Sequence, residues 1–557
     1  MQIASKKYWQ LIIAVLCIIA FYPVFKSSFI NYDDTDYITN NPYIKHLNAN
    51  NIINIFKGKG IDLYIPITML SYSIEIFLFG ESATVFHVTN LLLHIINAIL
   101  LLTILTRINN NNQPITILML LFFTLNPLVT ESVCWVSGRK DLLYTCFIFL
   151  ASIQFLNYNS SQKQSNLIAS ITLFILACLS KPMAISFPIL ITLYILYKTE
   201  TKTIKPFLVL IPFYLISVIF AYVAINRFSQ LTLNKTFIIP NYSFIEKTTI
   251  LLSEIGFYFF KPFAPFSHNL FHSYPKNSEA FSNNNIFVFS LFGLVIICVT
   301  MYAWVKQKNK QILYLILAWF ALLVPVLQII PNTHTYVSER YFYLTIIFPI
   351  TITVLYFKDK ISTKTLNSAS LILIPIFVVL THNRSKDWKN TITLFEHEIK
   401  INSNNSIALN NLGMYYTNNN NQTKAYQYFK RAIIEDTTNY KYLSNYALTL
   451  NKLGELDSAM IYFQKSLKLN GDNIEALNNL GIIYIQKKER EKAFPFFLKA
   501  YQLSPNNAEV CCNLGIYYYN SKQFNEAKPL LEKANDLGSE RAFKYLQKLN
   551  DSSIAKP

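Results

Sequence analysis

Long apolar blocks recur along the first two-thirds of the chain and stop near residue 382. Beyond that point apolar positions come in short helical groups set among Asn-rich polar stretches. A helix needs roughly 20 mostly apolar residues to cross a bilayer core, and fewer inside a large bundle. By that measure eleven spans are expected, at 8–26, 84–105, 114–130, 142–157, 166–180, 184–198, 206–225, 286–305, 312–330, 341–357 and 366–382. A further apolar stretch, 246–262, is interrupted by Glu246, Lys247, Glu254 and Lys261, a pattern that suits a helix lying along the interface. Residues 1–382 therefore read as a polytopic membrane domain of about 11 spans, and 383–405 as a linker helix.

From residue 406 a period of 34 appears. Its markers are Gly413, Ala447, Gly481 and Gly515, followed twelve residues on by Ala425, Ala459, Ala493 and Ala527, and seven further by Ala432, Ser466, Ala500 and Ala534. Phe429, Phe463, Phe497 and Leu531 sit between. Small residues at these positions let two antiparallel helices approach closely and let the pairs stack, which is the tetratricopeptide pattern. Four repeats over 406–541 are expected, with a capping helix and tail at 542–557. Such solenoids present a groove to a peptide or protein and carry no chemistry of their own.

Composition agrees with two solvents. The chain is 52% hydrophobic and only 14% charged, where soluble domains carry about a quarter charged residues. A net charge of +18 would suggest nucleic acid in a soluble protein, but many of the lysines fall in clusters between apolar blocks, so they report topology and no nucleic-acid partner is expected. A cytoplasmic N-terminus places Lys6 and Lys7, Arg107, Lys163, Lys198 with Lys202 and Lys205, Lys306 with Lys308 and Lys310, and Lys358 with Lys360 and Lys364 inside. An odd span number then puts the repeats outside, on the face that carries NYDDTDYI (31–38), ESVCWVSGRK (131–140), SKPM (180–183) and PNTHTYVSER (331–340). The seven cysteines match neither a zinc site nor a disulfide framework. The opening KKYWQLIIAVLCIIAFYPVF has no small-residue cleavage site and reads as an uncleaved anchor. Heavy Asn and Ile usage points to an AT-rich bacterial genome, hence a bacterial inner membrane with periplasmic repeats.

The outer loops gather the unusual residues. Asp33 and Asp34 taken alone suit a hydrated turn as well as a site. Their company is Glu131, Arg139, Lys140 and Asp141 on a second loop, Lys181 on a third, and His334, Glu339 and Arg340 on a fourth. That mixture suits a site holding an anion with cations and moving a proton with a carboxylate. Arg139 and Arg340 belong to no inside cluster, and a guanidinium fork grips phosphate bidentately. Lys140 alone reads as a snorkelling anchor. Glu131 is as well explained by a structural pairing as by a direct role. His87 and His94, seven apart on one apolar face, read as packed, hydrogen-bonded side chains. An oxygen-only site suits magnesium or manganese, and nothing in the sequence demands a metal or another cofactor.

The segments YIPITMLSYSIEIFLFG, FHVTNLLLHIINAILL, LFFTLNPLVTESVCWVSGRKDLL, CLSKPMAISFPILI, VPVLQIIPNTHTYVSERYFYL and RSKDWKNTITLFEHEIKINSNNSIALNNLG run in order along nearly the whole chain. Together they resemble the membrane-embedded tetratricopeptide O-mannosyltransferases and their bacterial relatives, within the glycosyltransferase C class that uses lipid-phosphate-linked sugars. The resemblance implies an all-α fold and a single-step inverting transfer of a sugar, mannose in the family's name, from a polyprenyl-phosphate carrier to a hydroxyl of an exported protein held by the repeats. It puts the catalytic acid residue in the first outer loop, so Asp33 or Asp34 is the implied base. The family's Gly-Arg-Lys/Ala-Asp segment matches Gly138, Arg139, Lys140 and Asp141, and its Glu-Arg-Tyr segment matches Glu339, Arg340 and Tyr341. Arg139, Arg340 and Lys181 are then the implied phosphate ligands, with Glu131, Asp141, Glu339 and His334 in support. Three places depart from the pattern: Ile65-Pro66 for Arg-Pro, Asn126-Pro127 for His-Pro and Lys181-Pro182 for Lys-Glu. Two other readings stand beside this one, transfer to a lipid or envelope glycan, and a non-catalytic scaffold whose repeats dock an envelope complex.

Overall fold

Each expected span contains a helix in the computed structural model, which describes residues 2–61, 63–108, 113–198, 205–232, 242–274, 284–306, 310–327, 335–357 and 361–554. Among these residues, five helices are long and apolar enough to cross a membrane, and a sixth span results if Pro114–Leu125 and Pro127–Cys134, bent by 45°, count as one. The remaining apolar helices are shorter, so the structure supports a polytopic helical membrane unit without fixing the number of crossings. The bend has a local cause. Pro127 offers no N–H to continue the helix, while Asn126 accepts from Leu128 N at 3.1 Å and donates to Pro262 O at 3.0 Å. The chain is thereby turned inward, and residues 131–134 are buried.

The elements that lead into and out of the candidate loops are α1 (Gln2–Ala20), α2 (Ala49–Phe56), α3 (Pro66–Phe79), α4 (Ala83–Ile108), α5 (Gln113–Leu125), α6 (Thr130–Cys134) and α7 (Arg139–Ser161). A short antiparallel pairing of His272–Ser273 with Thr335–Val337 is the one sheet among the described residues, and it was not expected from the sequence. The last long membrane-unit helix, Thr363–Asp387, runs past 382, and Thr391–Ile401 follows it. Both belong to the membrane unit, which ends at Ile401, so much of the expected 383–405 linker is part of that unit.

The second unit holds Asn402 onward. Its helices alternate from Ser406–Asn418 to Phe524–Asp536 as four antiparallel pairs, closed by Glu540–Ile554. The Asn-richness has a structural use: Asn405, Asn439, Asn473 and Asn507, each 34 residues apart, cap the first helix of successive repeats with their side chains. A Cβ at Gly413 or Gly481 would meet the ring of Phe429 or Phe497 at 2.6 or 2.5 Å, which is why the closest helix crossings carry glycine.

Candidate active site

The loop after the first helix is tied down at its start. Ser28 N donates to Lys389 O and Asn31 N to Thr391 Oγ1, both at 2.9 Å, so the stretch after the last long membrane-unit helix holds the loop. A single π-type turn, Thr35–Thr39, follows the two aspartates and aims them apart. Asp34 is fully buried. Its Oδ2 accepts from Ile30 N at 2.9 Å, and its Oδ1 accepts from Ser137 N at 2.9 Å and Ser137 Oγ at 2.5 Å. Burial pushes its carboxyl up to about 6 despite those three donors. Asp33 keeps 27% of its side chain exposed and meets Lys140 Nζ at 3.2 Å. One carboxylate is a latch between loops and the other remains accessible.

Lys140 is not an anchor reaching for the interface. Its ammonium is buried at 4.8 Å from the centroids of Tyr37 and Trp135, with Asp33 as counter-charge. Lys181 pairs with Asp141 and lies over the rings of Tyr144 and Tyr341. Arg340 is half-buried at the start of the helical segment Phe342–Thr345, and its guanidinium lies 5.2 Å from the centre of the Tyr341 ring. It stands within electrostatic reach of Glu131, Tyr32 and Asp33, and its one side-chain hydrogen bond among the described residues is a long one, to Tyr341 OH at 3.4 Å. Glu131 is buried and its Oε2 accepts no hydrogen bond. Asp33, Lys140, Glu131 and Arg340 thus share one neighbourhood in the membrane unit.

Glu339 and Arg139 do other work. Glu339 accepts from His268 Nδ1 at 3.1 Å and from Asn269 N at 3.2 Å, fixing the 264–273 loop beside Arg340. Burial works to raise its carboxyl, but His268, Arg384 and Lys261 outweigh that and hold it down at about 2. A second buried carboxylate, Glu398, accepts from Leu270 N at 2.8 Å and faces Arg384. Arg139 is only 1% exposed, and all three of its guanidinium nitrogens donate within the protein, to Glu75, to Asn90 Oδ1 and to Phe86 O. His334 lies outside the described residues. Among those described, no three or more His, Cys, Asp or Glu side chains gather to hold a metal ion.

The sequence reading therefore missed Lys140 as a site residue and did not single out Glu75, Asn90, Ser137, His268, Arg384 or Glu398. Glu75 carried a usable signal, a carboxylate inside an apolar helix, which is costly unless paired. The others are ordinary polar or charged residues that each have a partner 13 to 128 positions away.

Two further spaces matter. An apolar cavity of about 190 Å³ in the membrane unit is lined by Ile148, Phe149, Leu190, Leu322, Leu344 and Phe348 among others. All of these but Leu322 follow Lys140, Lys181 or Arg340 along their own segments, so several site elements run on into its wall. In the repeats, a cleft of about 490 Å³ is lined by Ile482, Lys488, Arg490, Asn513, Tyr517 and Arg541 among others.

Comparison with known proteins agrees with the motif reading. The tetratricopeptide repeat family matches residues 407–433, 440–473, 474–507 and 508–537. Protein O-mannosyl-transferase TMTC1 of Homo sapiens is 32% identical over 142 residues, covering 24% of this chain and 16% of that protein. Protein O-mannosyl-transferase TMTC3 of Homo sapiens is 24% identical over 419 residues, covering 66% of this chain and 44% of that protein. The chain thus spans less than half the length of these curated relatives. Among solved structures, MamA matches at 21% identity over 29% of this chain and 93% of its own, with a TM-score of 0.25. Similarity to tetratricopeptide-bearing protein O-mannosyl-transferases, joined to a helical membrane unit with tetratricopeptide repeats, is what these findings establish.

Proposed function

We propose that this chain is a membrane glycosyltransferase that moves a sugar, mannose by analogy with its relatives' names, from a polyprenyl-phosphate carrier to a hydroxyl of an exported polypeptide. The observation that carries the reading is the division of labour between adjacent aspartates: Asp34 is spent on three hydrogen bonds, while Asp33 is accessible beside Lys140 and within reach of Arg340.

In this reading Asp33 takes the proton of the acceptor hydroxyl as its oxygen attacks the anomeric carbon. The bond from that carbon to the phosphate oxygen breaks on the opposite face, and the electron pair stays on the phosphate. Arg340, with Lys181 nearby, stabilises the charge that develops there. Lys140 pairs with Asp33 and holds it in place. Displacement in one step inverts the anomeric centre. The apolar cavity walled in part by the helices that follow Lys140 and Arg340 suits the carrier's hydrocarbon tail, and the repeat groove suits an unfolded or looped stretch of the acceptor. The site faces the periplasm of a bacterial inner membrane when the lysine clusters face the cytoplasm.

The test is sugar transfer from a labelled polyprenyl-phosphate donor in membranes bearing Asp33→Asn or Arg340→Ala. Both are expected to lose transfer while still inserting and folding; undiminished transfer in both rejects the site. Glycoproteomics of a deletion strain against its parent then fixes the acceptor class, with loss of O-linked sugar on exported proteins as the expected outcome.

A further inference from the structure

Glu75 and Arg139 form a buried ion pair, with 6% and 1% of their side chains exposed, in a part of the molecule that the resemblance assigned to phosphate binding. Every guanidinium nitrogen of Arg139 is already engaged within the protein, and the side chain is almost wholly shut off from solvent. Its Nε donates to Asn90 Oδ1 at 2.9 Å, Nη2 to Phe86 O at 3.0 Å and Nη1 to Glu75, and its Cζ lies against the rings of both Tyr72 and Phe86, 4.7 and 5.1 Å from their centres. Glu75 is held in turn by Thr89 Oγ1, which donates to Oε1 at 2.6 Å.

Residues of the two helices that cage Arg139 hold the tight turn 136–138. Asn90 Nδ2 donates to Trp135 O at 2.9 Å, and Tyr72 OH donates to Val136 O at 3.0 Å, both from the helices that hold Arg139. Asp34 grips the same turn through Ser137. Gly138 closes it, because a Cβ there would stand 2.5 Å from Ser132 O. Arg139 leaves this turn, and the residue after it is Lys140, the counter-charge of Asp33.

We propose that Glu75 is a positioning residue for the transfer reaction: by neutralising and anchoring Arg139 it fixes the 136–140 turn, and so sets Lys140 against Asp33. Arg139 is then a structural cation and not a ligand of the donor phosphate. This inference rests on the reading of Asp33 as the base.

A two-residue cycle on the full chain, purified in detergent and assayed with a polyprenyl-phosphate sugar, tests it. Glu75→Gln and Arg139→Gln each leave one buried charge without its partner. Each is expected to lower kcat about 10- to 100-fold, as misplacement by about an ångström does, with the donor KM within about twofold. The double variant removes both charges and is expected to regain most of the lost kcat. Should a single variant fail to fold, Glu75→Asp and Arg139→Lys, which keep the charges and alter the reach, take its place, with lowered kcat expected and donor KM unmoved. A raised donor KM in Arg139→Gln with no recovery in the double variant overturns the proposal, since that is the behaviour of a phosphate ligand. Loss that vanishes when rates are normalised to folded protein overturns it too, leaving the pair a stability device. Run in parallel, Asp33→Asn separates the two readings. A dead Asp33→Asn beside a fully active Glu75→Gln overturns the pair's role alone, whereas an active Asp33→Asn overturns the base, and the positioning with it.

Discussion

The membrane unit and the repeat array solve opposite problems with similar residues. In the repeats a polar side chain acts on its own neighbourhood: an asparagine every 34 residues caps a helix two or three positions on, and Asn513 donates to Asn478 at 2.9 Å, about one repeat away. In the membrane unit the polar side chains act across the chain. Asp34 reaches Ser137, Glu75 reaches Arg139 and Asn31 reaches Thr391. Within an apolar bundle an unpaired polar group is expensive, so each one must be met by another loop, and those meetings build the site. A groove made by repetition needs no such convergence. Chemistry concentrates where the cost of leaving a charge alone is highest.

The sharpest break in that comparison comes from the accessible carboxylate. Asp33→Asn is expected to lower kcat by about 10²- to 10⁴-fold, the usual worth of a general base, with thermal unfolding of the detergent-solubilised protein little changed. Asp34→Asn differs in kind. An amide cannot accept from Ile30 N, Ser137 N and Ser137 Oγ together, so a loss of about 1–3 kcal/mol in stability is expected, read as a lowered melting temperature. Arg340→Ala is expected to cost about 10²- to 10³-fold in transfer, with partial retention in Arg340→Lys, as for removal of one charge-stabilising donor.

Acid titration separates the carboxylates further. Glu339 sits at about 2 in the folded chain against an ordinary 4.5, so the stability it contributes is present above the ordinary value and lost as pH falls from 4.5 towards 2. That is worth roughly 3 kcal/mol, and Glu339→Gln should flatten the acid limb of a melting curve taken against pH. Asp34 has the reverse sign. Its carboxyl is raised to about 6 from 3.8, so its contribution falls as pH climbs through that window and is level above it. Wild type and Asp34→Asn should therefore differ in slope between those values.

Much of the architecture was readable in advance because it rests on period and length. The 34-residue register gave every repeat, and the apolar blocks gave a helix at each expected span. The site was legible only as a set of loops. Residue type could not tell Asp33 from Asp34, since the distinction is which of them Ser137 meets. Nor could it tell Arg139 from Arg340, because a guanidinium caged by Glu75 and Asn90 looks the same in sequence as one left half-exposed beside Tyr341. Lys140 reads as an anchor until Asp33 is seen opposite it. The Thr391–Ile401 helix looks like a linker because its work, through Thr391 on Asn31 and Glu398 on Leu270, is done on partners 360 and 128 positions away.

Smaller effects belong to the repeats. Gly481→Val forces the Phe497 ring aside and is expected to cost about 1–3 kcal/mol in the melting of the array, while transfer to a short free acceptor is unaltered. Lys487→Ala removes an exposed pairing with Asp457 and should leave both melting and transfer unchanged.

The most direct measurement is a single-turnover experiment in lipid vesicles, with donor binding followed separately from transfer. With Asp33→Asn, the labelled polyprenyl-phosphate sugar should bind with wild-type affinity and its sugar should stay on the carrier. With Arg340→Ala, binding should weaken and residual transfer should fall with it. Transfer at the wild-type rate by the Asp33→Asn protein would contradict the assignment of that carboxylate as the base.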